Sequence, residues 1–252
     1  MLAERYVTGA YLEEVPDWHA SDAPWKADKI RALLKKHALF PRSVCDVGCG
    51  AGGILSALQP HLPHGCSLWG FDISPAAIRL AKEKENPQLR FACADLTALE
   101  PEAKFDLLLL LDVMEHAEDY LGLLRSLLPR AKRFVFHIPL ELNVHALWRR
   151  SSPLLEMRRR YGHLHHFSRE TALATLEDAG FVVEDAVYTW DHEPDGLFPP
   201  RAPGLRGLLR YPARVAAVTV ERWAHRRRPD LTAALRPAYN LLVLARASTP
   251  AR

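Results

Sequence analysis

The sequence predicts an α/β protein built on a doubly wound parallel sheet, and three observations carry that reading. Strand-like apolar runs alternate with helix-like segments along most of the chain, the rhythm of parallel strands joined by crossover helices. Phe105-Asp106-Leu107-Leu108-Leu109-Leu110-Leu111 is almost continuously apolar, as a strand covered on both faces must be. Finally, Val44-Cys45-Asp46-Val47 runs into Gly48-Cys49-Gly50-Ala51-Gly52-Gly53, after which Ile54-Leu55-Ser56-Ala57-Leu58 resumes with helical character. That is a strand, a glycine-rich turn and a helix. Glycines there let the backbone turn sharply and approach a ligand closely, and the helix start offers N–H groups to it. At 252 residues, 48% of them hydrophobic and 25% charged, the chain has enough apolar content for one sizeable core.

Taken in order, residues 1–23 are mixed, with Tyr6, Tyr11, Trp18 and His19 but little periodicity. Pro24 to Leu39 reads as a helix, with Pro24 in its first turn, Trp25, Ile30, Leu33 and Leu34 as its apolar stripe, and Asp22 as a candidate cap. Residues 1–40 therefore form a helical segment ahead of the main domain, 41–252. After the glycine turn, Ser67 to Asp72 reads as a second strand, and Ser74-Pro75 caps and starts a helix through Lys84. Gln88 to Ala92 is a third strand, Phe105 to Leu111 the fourth, Ala117 to Leu128 a helix, and Ala131 to Ile138 the fifth strand, ending at Pro139. Leu140 to Tyr161 reads as a loop-rich stretch, with basic clusters Arg149-Arg150 and Arg158-Arg159-Arg160. Ser168 caps a helix ending at Gly180, and a sixth strand begins at Phe181 and runs to about Trp190. Residues 191–238 are an Arg- and Pro-rich insertion before a last strand, Tyr239 to Ala245.

The glycine turn satisfies the dinucleotide pattern G-x-G-x-x-G through Gly48, Gly50 and Gly53, a weak signal alone. Asp46 tips the choice, because an acid at the strand end repels a pyrophosphate and suits a cationic amino-acid ligand. Asp46, Gly48, Gly50 and Gly52 resemble motif I of the class I S-adenosylmethionine (SAM)-dependent methyltransferases. Asp112-Val113-Met114-Glu115-His116, at the end of the fourth strand, resembles motif IV of the ubiquinone-biosynthesis-like O-methyltransferase branch (methyltransferase types 11 and 12). Gly162-His163-Leu164-His165-His166-Phe167-Ser168, with the helix and Ala179-Gly180-Phe181 that follow, resembles the same branch. The resemblance implies a Rossmann-like, seven-stranded doubly wound sheet whose last strand is antiparallel, with SAM as donor and S-adenosylhomocysteine as product. It implies that Asp46, Gly48, Cys49, Gly50 and Gly52 hold the methionine end, with Asp112 and Val113 at the crevice. Asp72, 22 residues beyond Gly50, suits ribose hydroxyls. By resemblance Ile73 packs on the adenine ring and Asp95, followed by Leu96, faces its amino group; the competing reading of Asp95 is a turn cap.

Acceptor chemistry is less defined by sequence. His116, His163 and His166 are candidate bases, with His137 and His19 behind them, because histidine titrates near neutrality. Glu115 reads either as an orienter of acceptor or histidine, or as a helix-start carboxylate. For His163, His165 and His166, structural hydrogen bonding, proton transfer and metal ligation all compete; the reading adopted assigns no metal.

The functional expectation is methyl transfer to a small-molecule acceptor, at oxygen. Alternatives are an RNA-modifying methyltransferase, a nicotinamide-dependent oxidoreductase and a non-catalytic SAM-fold binding protein. Arg201 to Arg228 carries eight arginines against one acid, Glu221, so the basic charge is concentrated there. That segment suggests an anionic acceptor, peripheral contact with a membrane, or a solvated cap; DNA is not expected. No apolar run approaches the roughly 20 residues of a membrane span, and Met1-Leu2-Ala3-Glu4-Arg5 lacks the features of a signal peptide. The expected compartment is the cytoplasm, and the four cysteines are expected as reduced thiols.

Overall fold

A computed structural model describes residues 20–98, 104–148, 153–190 and 219–248. The expectations that rest on Tyr6, Tyr11, Trp18, His19, the pair Arg149-Arg150 and the insertion up to residue 218 lie outside those residues.

Helix α1 (Ala23–Lys36) precedes β1 (Ser43–Val47), α2 (Gly53–Leu58), β2 (Ser67–Asp72), α3 (Pro75–Lys82), β3 (Leu89–Cys93) and β4 (Phe105–Leu111). There follow α4 (Tyr120–Leu127), β5 (Ala131–Pro139), α5 (Val144–Trp148), α6 (Pro153–Arg160), α7 (Arg169–Ala179) and β6 (Phe181–Trp190). A helix over 219–227, α8, leads into α9 (Pro229–Leu235) and β7 (Tyr239–Ala247). The seven strands form one sheet in the order β3-β2-β1-β4-β5-β7-β6. All pairings are parallel except those of β7, which runs antiparallel to both β5 and β6. The α/β class, the seven strands and the antiparallel last strand are as the sequence led one to expect.

Both faces of the sheet are covered, which is why β1 and β4 are apolar without alternation. On one face Ile30, Leu33 and Leu34 of α1 pack with Leu55 and Leu58 of α2, Ile78 of α3 and Leu107 and Leu109 of β4. On the other, Leu124 and Leu127 of α4 and Ala172 and Leu176 of α7 pack with Leu108, Leu110, Phe134 and Phe136. Successive side chains of a strand face opposite ways, so β4 feeds both cores.

Local signals set several boundaries. Ser74 accepts from the Ala77 amide at 3.4 Å and starts α3 with Pro75. Ser168 and Thr171 form a reciprocal capping box on α7, and Gly180 ends that helix in the left-handed region. Other expectations need correcting. Asp22 sits at the N-cap of α1 with helical dihedrals and no capping hydrogen bond, and its carboxylate lies 3.8 Å from Lys26. The stretch read as loop-rich, 140–161, holds α5 and α6; Asn143 starts α5 by accepting from the Ala146 amide at 2.9 Å. The helix expected from Ala117 begins at Tyr120, because a 3-10 turn, Met114–His116, follows β4 first. Among the described cysteines, Cys45, Cys49 and Cys66 are buried, Cys93 is exposed, and all four are free thiols.

Candidate functional site

A cavity of about 1330 Å³ opens at the carboxyl ends of β1, β2, β4 and β5. This is where an open parallel sheet leaves a crevice, because the connections on either side diverge there. Its walls come from the loops after these strands, the start of α1, and α5 and α6.

The glycine loop is tightly pinned. The Gly48 and Cys49 amides both donate to the Phe71 carbonyl, at 2.8 and 3.1 Å. The Gly50 amide donates to one Asp72 oxygen at 2.8 Å, and the Ser74 amide donates to the other, also at 2.8 Å. Gly48 has φ +76°, and a Cβ there would lie 2.5 Å from Val113 Cγ2. The loop after β1 and the loop after β4 thus touch only because this position is glycine. Gly48, Cys49, Gly50, Asp72, Ile73, Asp95, Leu96, Asp112, Val113, Glu115, His116 and His163 all line the cavity; Asp46, Gly52 and His166 do not. Ile73 is 39% exposed, an apolar side chain left open to the cavity. Asp95 accepts from the Thr97 amide at 2.8 Å and from its hydroxyl at 2.7 Å, so it also caps a turn.

Three carboxyl groups gather at these strand ends. Asp46 is 2% exposed, and burial, reinforced by Asp72 and Asp112, pushes its acid up to about 8. Burial raises Asp72 as well, against the two backbone N–H groups that favour its ionised form. Asp112 goes the other way. Burial alone would raise it, but His137 and Lys26 outweigh that and hold the carboxyl well below the usual range. Its oxygens contact His137 Nδ1 at 2.6 Å and Lys26 Nζ at 2.7 Å, and His137 Nε2 reaches Thr189 Oγ1 at 2.9 Å. Asp112 itself has φ +54°, a strained conformation for a side-chain-bearing residue that these contacts maintain.

The other half of the cavity is histidine-rich. His163 Nδ1 lies 2.7 Å from Glu141 Oε1, and His166 Nδ1 lies 2.6 Å from Glu141 Oε2. Burial raises the Glu141 acid, yet the two imidazoles prevail and lower it. The His116 ring meets the His163 ring edge-on with centroids 4.8 Å apart, and its Nδ1 lies 3.3 Å from the Gly162 carbonyl. Burial, then His163, lowers His116 to about 4, so it is neutral at physiological pH. Glu115 is 1% exposed, and neither carboxylate oxygen meets a partner beyond its own residue among the described residues. Burial and Asp112 push its acid well up. Glu115, His116 and His163 each offer one ligand atom within 4.8 Å of the others, a set that can hold a divalent cation. The expectation of no metal therefore meets a candidate metal centre.

Sequence reasoning missed Glu141 and Lys26. Glu141 lies two residues beyond the end of β5, a position that the crevice rule marks for ligand contact. Lys26 carried no local signal, since its partner Asp112 is 86 residues away.

A family model described as a methyltransferase domain matches residues 17–186. The ubiquinone biosynthesis O-methyltransferase of Coxiella burnetii (strain RSA 493 / Nine Mile phase I) is 30% identical over 95 residues, 36% of this chain and 39% of that protein. The chain thus spans about two fifths of the length of the curated relatives it matches. Among solved structures, the magnesium protoporphyrin IX methyltransferase of Synechocystis PCC 6803 with bound S-adenosylhomocysteine superposes with a TM-score of 0.55. It is 19% identical, over 90% of this chain and 83% of that one. The N-methyltransferase NodS of Bradyrhizobium japonicum WM9, also with S-adenosylhomocysteine, gives 0.55 at 16% identity, over 95% and 99%. At such identity these two structures speak to the fold alone. The family match covers more than half of the chain and includes the glycine loop, the acidic strand ends and Glu115-His116: the protein is a member of the class I SAM-dependent methyltransferases.

Proposed function

We propose that the chain transfers a methyl group to an oxygen of a small-molecule acceptor held against Glu115, His116, His163 and Glu141. The observation that carries this reading is the continuity of one large cavity from the glycine loop to that cluster. Pockets for a single drug-sized ligand run about 300–1,000 Å³, so the volume suits donor and acceptor together. The choice of oxygen is supported by the curated ubiquinone O-methyltransferase relatives.

The residues fit the donor. SAM supplies a methyl group on a sulfonium, already activated for transfer. Asp112, held ionised by His137 and Lys26, puts its carboxylate on the cavity beside Asp72, which suits a ligand with a cationic centre, while the buried Asp46 behind them keeps its proton near neutrality. Asp72, fixed by the Gly50 and Ser74 amides, retains lone pairs for ribose hydroxyls. Ile73 gives an aromatic base an apolar surface to cover, Asp95 and Leu96 line the same cavity, and Gly48, Cys49 and Gly50 bring backbone close. Lys26, at the cavity edge, is a cation within reach of a carboxylate. On the acceptor side, His163 is held by Glu141, and neutral His116 stands against it. The His163 imidazole takes the acceptor's proton as the acceptor's oxygen lone pair aligns with the methyl group. His166 shares Glu141 and acts through it.

A second reading, that the acceptor oxygen is activated by a divalent cation on Glu115, His116 and His163, is favoured by the buried, unpartnered Glu115 carboxylate. The nicotinamide, RNA-modifying and non-catalytic readings draw no support from the matched relatives.

Calorimetric titration with SAM, S-adenosylhomocysteine and NADH tests the donor site; Asp72→Ala is expected to weaken SAM binding while the chain stays folded. A labelled-methyl screen of phenols, hydroxy acids and amines then tests the acceptor atom. Label appearing only in amines would overturn the oxygen assignment. Full activity in the presence of a strong chelator would remove the cation.

A further inference from the structure

We propose that the helices around the cavity mouth form a docking surface for an anionic lipid bilayer. Helices α5 and α6 pack together, α9 packs on α5, and α8 leads directly into α9. Residues on one side of this group line the cavity, among them Ala146, Leu154 and Met157, followed by Pro237 and Ala238 after α9. The outward side is apolar to an unusual degree. Trp148 is 84% exposed, Leu147 66%, Trp223 60%, Leu231 56% and Leu155 51%. Eight of the eleven large apolar residues exposed among the described residues lie on these four short helices. Scattered exposed apolar residues need no explanation, but a concentration around one opening does.

The charge of the same helices states what would cover them. Residues 153–160 and 219–236 hold eight arginines and three acids, Glu156, Glu221 and Asp230. Two of those acids are already paired: Glu221 with Arg236 at 2.9 Å, and Asp230 with Arg169 at 3.5 Å. The surface is left strongly cationic. Leucine, tryptophan and arginine together match the headgroup boundary of an anionic bilayer, where apolar side chains enter the acyl edge and guanidinium groups meet phosphate. RNA would engage the arginines and the rings but would leave Leu147, Leu155 and Leu231 facing water. No helix among the described residues is long and apolar enough to cross a membrane, so the contact is peripheral. Seated in this way, the cavity mouth faces the headgroups, and an acceptor held in the bilayer enters without crossing water.

The test is flotation of the full chain with vesicles of phosphatidylcholine alone and of phosphatidylcholine mixed with phosphatidylglycerol. The protein is expected to float with the anionic vesicles, to stay behind with the neutral ones, and to dissociate as salt is raised. Leu147→Glu with Trp148→Glu, and separately Arg159→Glu with Arg226→Glu, are expected to weaken partitioning about tenfold or more. These side chains are exposed, so SAM affinity and the circular dichroism spectrum are expected to stay those of the parent; this keeps the result separate from the donor assignment. Folded parent protein that ignores anionic vesicles at low salt overturns the proposal. So does variant protein that floats as well as the parent, retention of RNA without vesicle binding, or burial of the face in a dimer detected by light scattering.

Discussion

Glu141 uses both carboxylate oxygens to hold two imidazoles, His163 and His166, at 2.7 and 2.6 Å. A hydrogen bond to Nδ1 fixes which nitrogen remains for the cavity and how the ring is turned. Glu141→Gln keeps the size but turns one acceptor into a donor, so one ring loses its fixed tautomer. Turnover is expected to fall about 10–100-fold with SAM affinity unchanged. Calorimetry alongside a methyl-transfer assay reads both, and an equal loss in each would mean that Glu141 only holds the fold. Asp46 makes the stability of the fold depend on pH. Its acid titrates about 8 in the folded chain, against an ordinary value near 4, because burial and the acids Asp72 and Asp112 disfavour the charge. The folded state therefore keeps a proton that the unfolded chain releases, and stability is lost as pH rises from about 4 through 8. Asp46→Asn removes that loss. Its melting temperature relative to the parent, both without ligand, is expected to be higher at pH 8 than at pH 5. An offset equal at both pH values would refute the raised acid.

At the scale of elements, what the sequence disclosed is what short-range physics decides. Strands β1 and β4 were readable because a strand covered on both faces has little room for polar residues. Helix α7 was readable because Ser168 and Gly180 mark its ends. The helices α5 and α6 were not, since five and eight residues give little periodicity and the arginine cluster masks an apolar stripe. Asn143, a good cap, was the signal available there. Asp22 shows the converse, a residue of capping type whose carboxylate lies near Lys26 instead of bonding the helix start. The glycine loop was legible as a pattern, but the reason for its first glycine was not, since it lies in Val113, brought there by the fold. Gly48→Ala must place a methyl 2.5 Å from Val113 Cγ2 and hold φ +76°. A left-handed side-chain-bearing residue costs about 1–2 kcal/mol before the clash is counted. The expected result is a chain that still folds but binds SAM at least about tenfold more weakly. Undiminished affinity would show that the two loops part at no cost.

At the scale of the molecule, α1 spans the sheet and is tied down at both ends. Near its start Trp25 meets the His137 ring edge-on at 5.8 Å, and Lys26 reaches Asp112 at 2.7 Å. Near its end Lys36 and the following His37 share Asp185 of β6 at 2.6 and 2.7 Å. The partners lie 86, 149 and 148 residues away, which is why periodicity revealed the helix and nothing local revealed its clasp. The exposed Lys36–Asp185 pair is worth little by itself. The Lys26–Asp112 pair differs, because Lys26 is 12% exposed, Asp112 is strained, and both line the cavity. A donor carboxylate that draws on Lys26, or an ammonium that draws on Asp112, competes with or completes this pair. Seating of α1 and occupancy of the donor site are then two readings of one equilibrium. Hydrogen exchange of the amides of 23–36 is expected to slow when S-adenosylhomocysteine binds. Lys26→Met keeps the aliphatic stem and removes the charge; it is expected to abolish most of that added protection and to weaken donor binding about tenfold. If the variant binds the donor with parental affinity and shows the same change in exchange, α1 is a passive cover rather than part of the donor site.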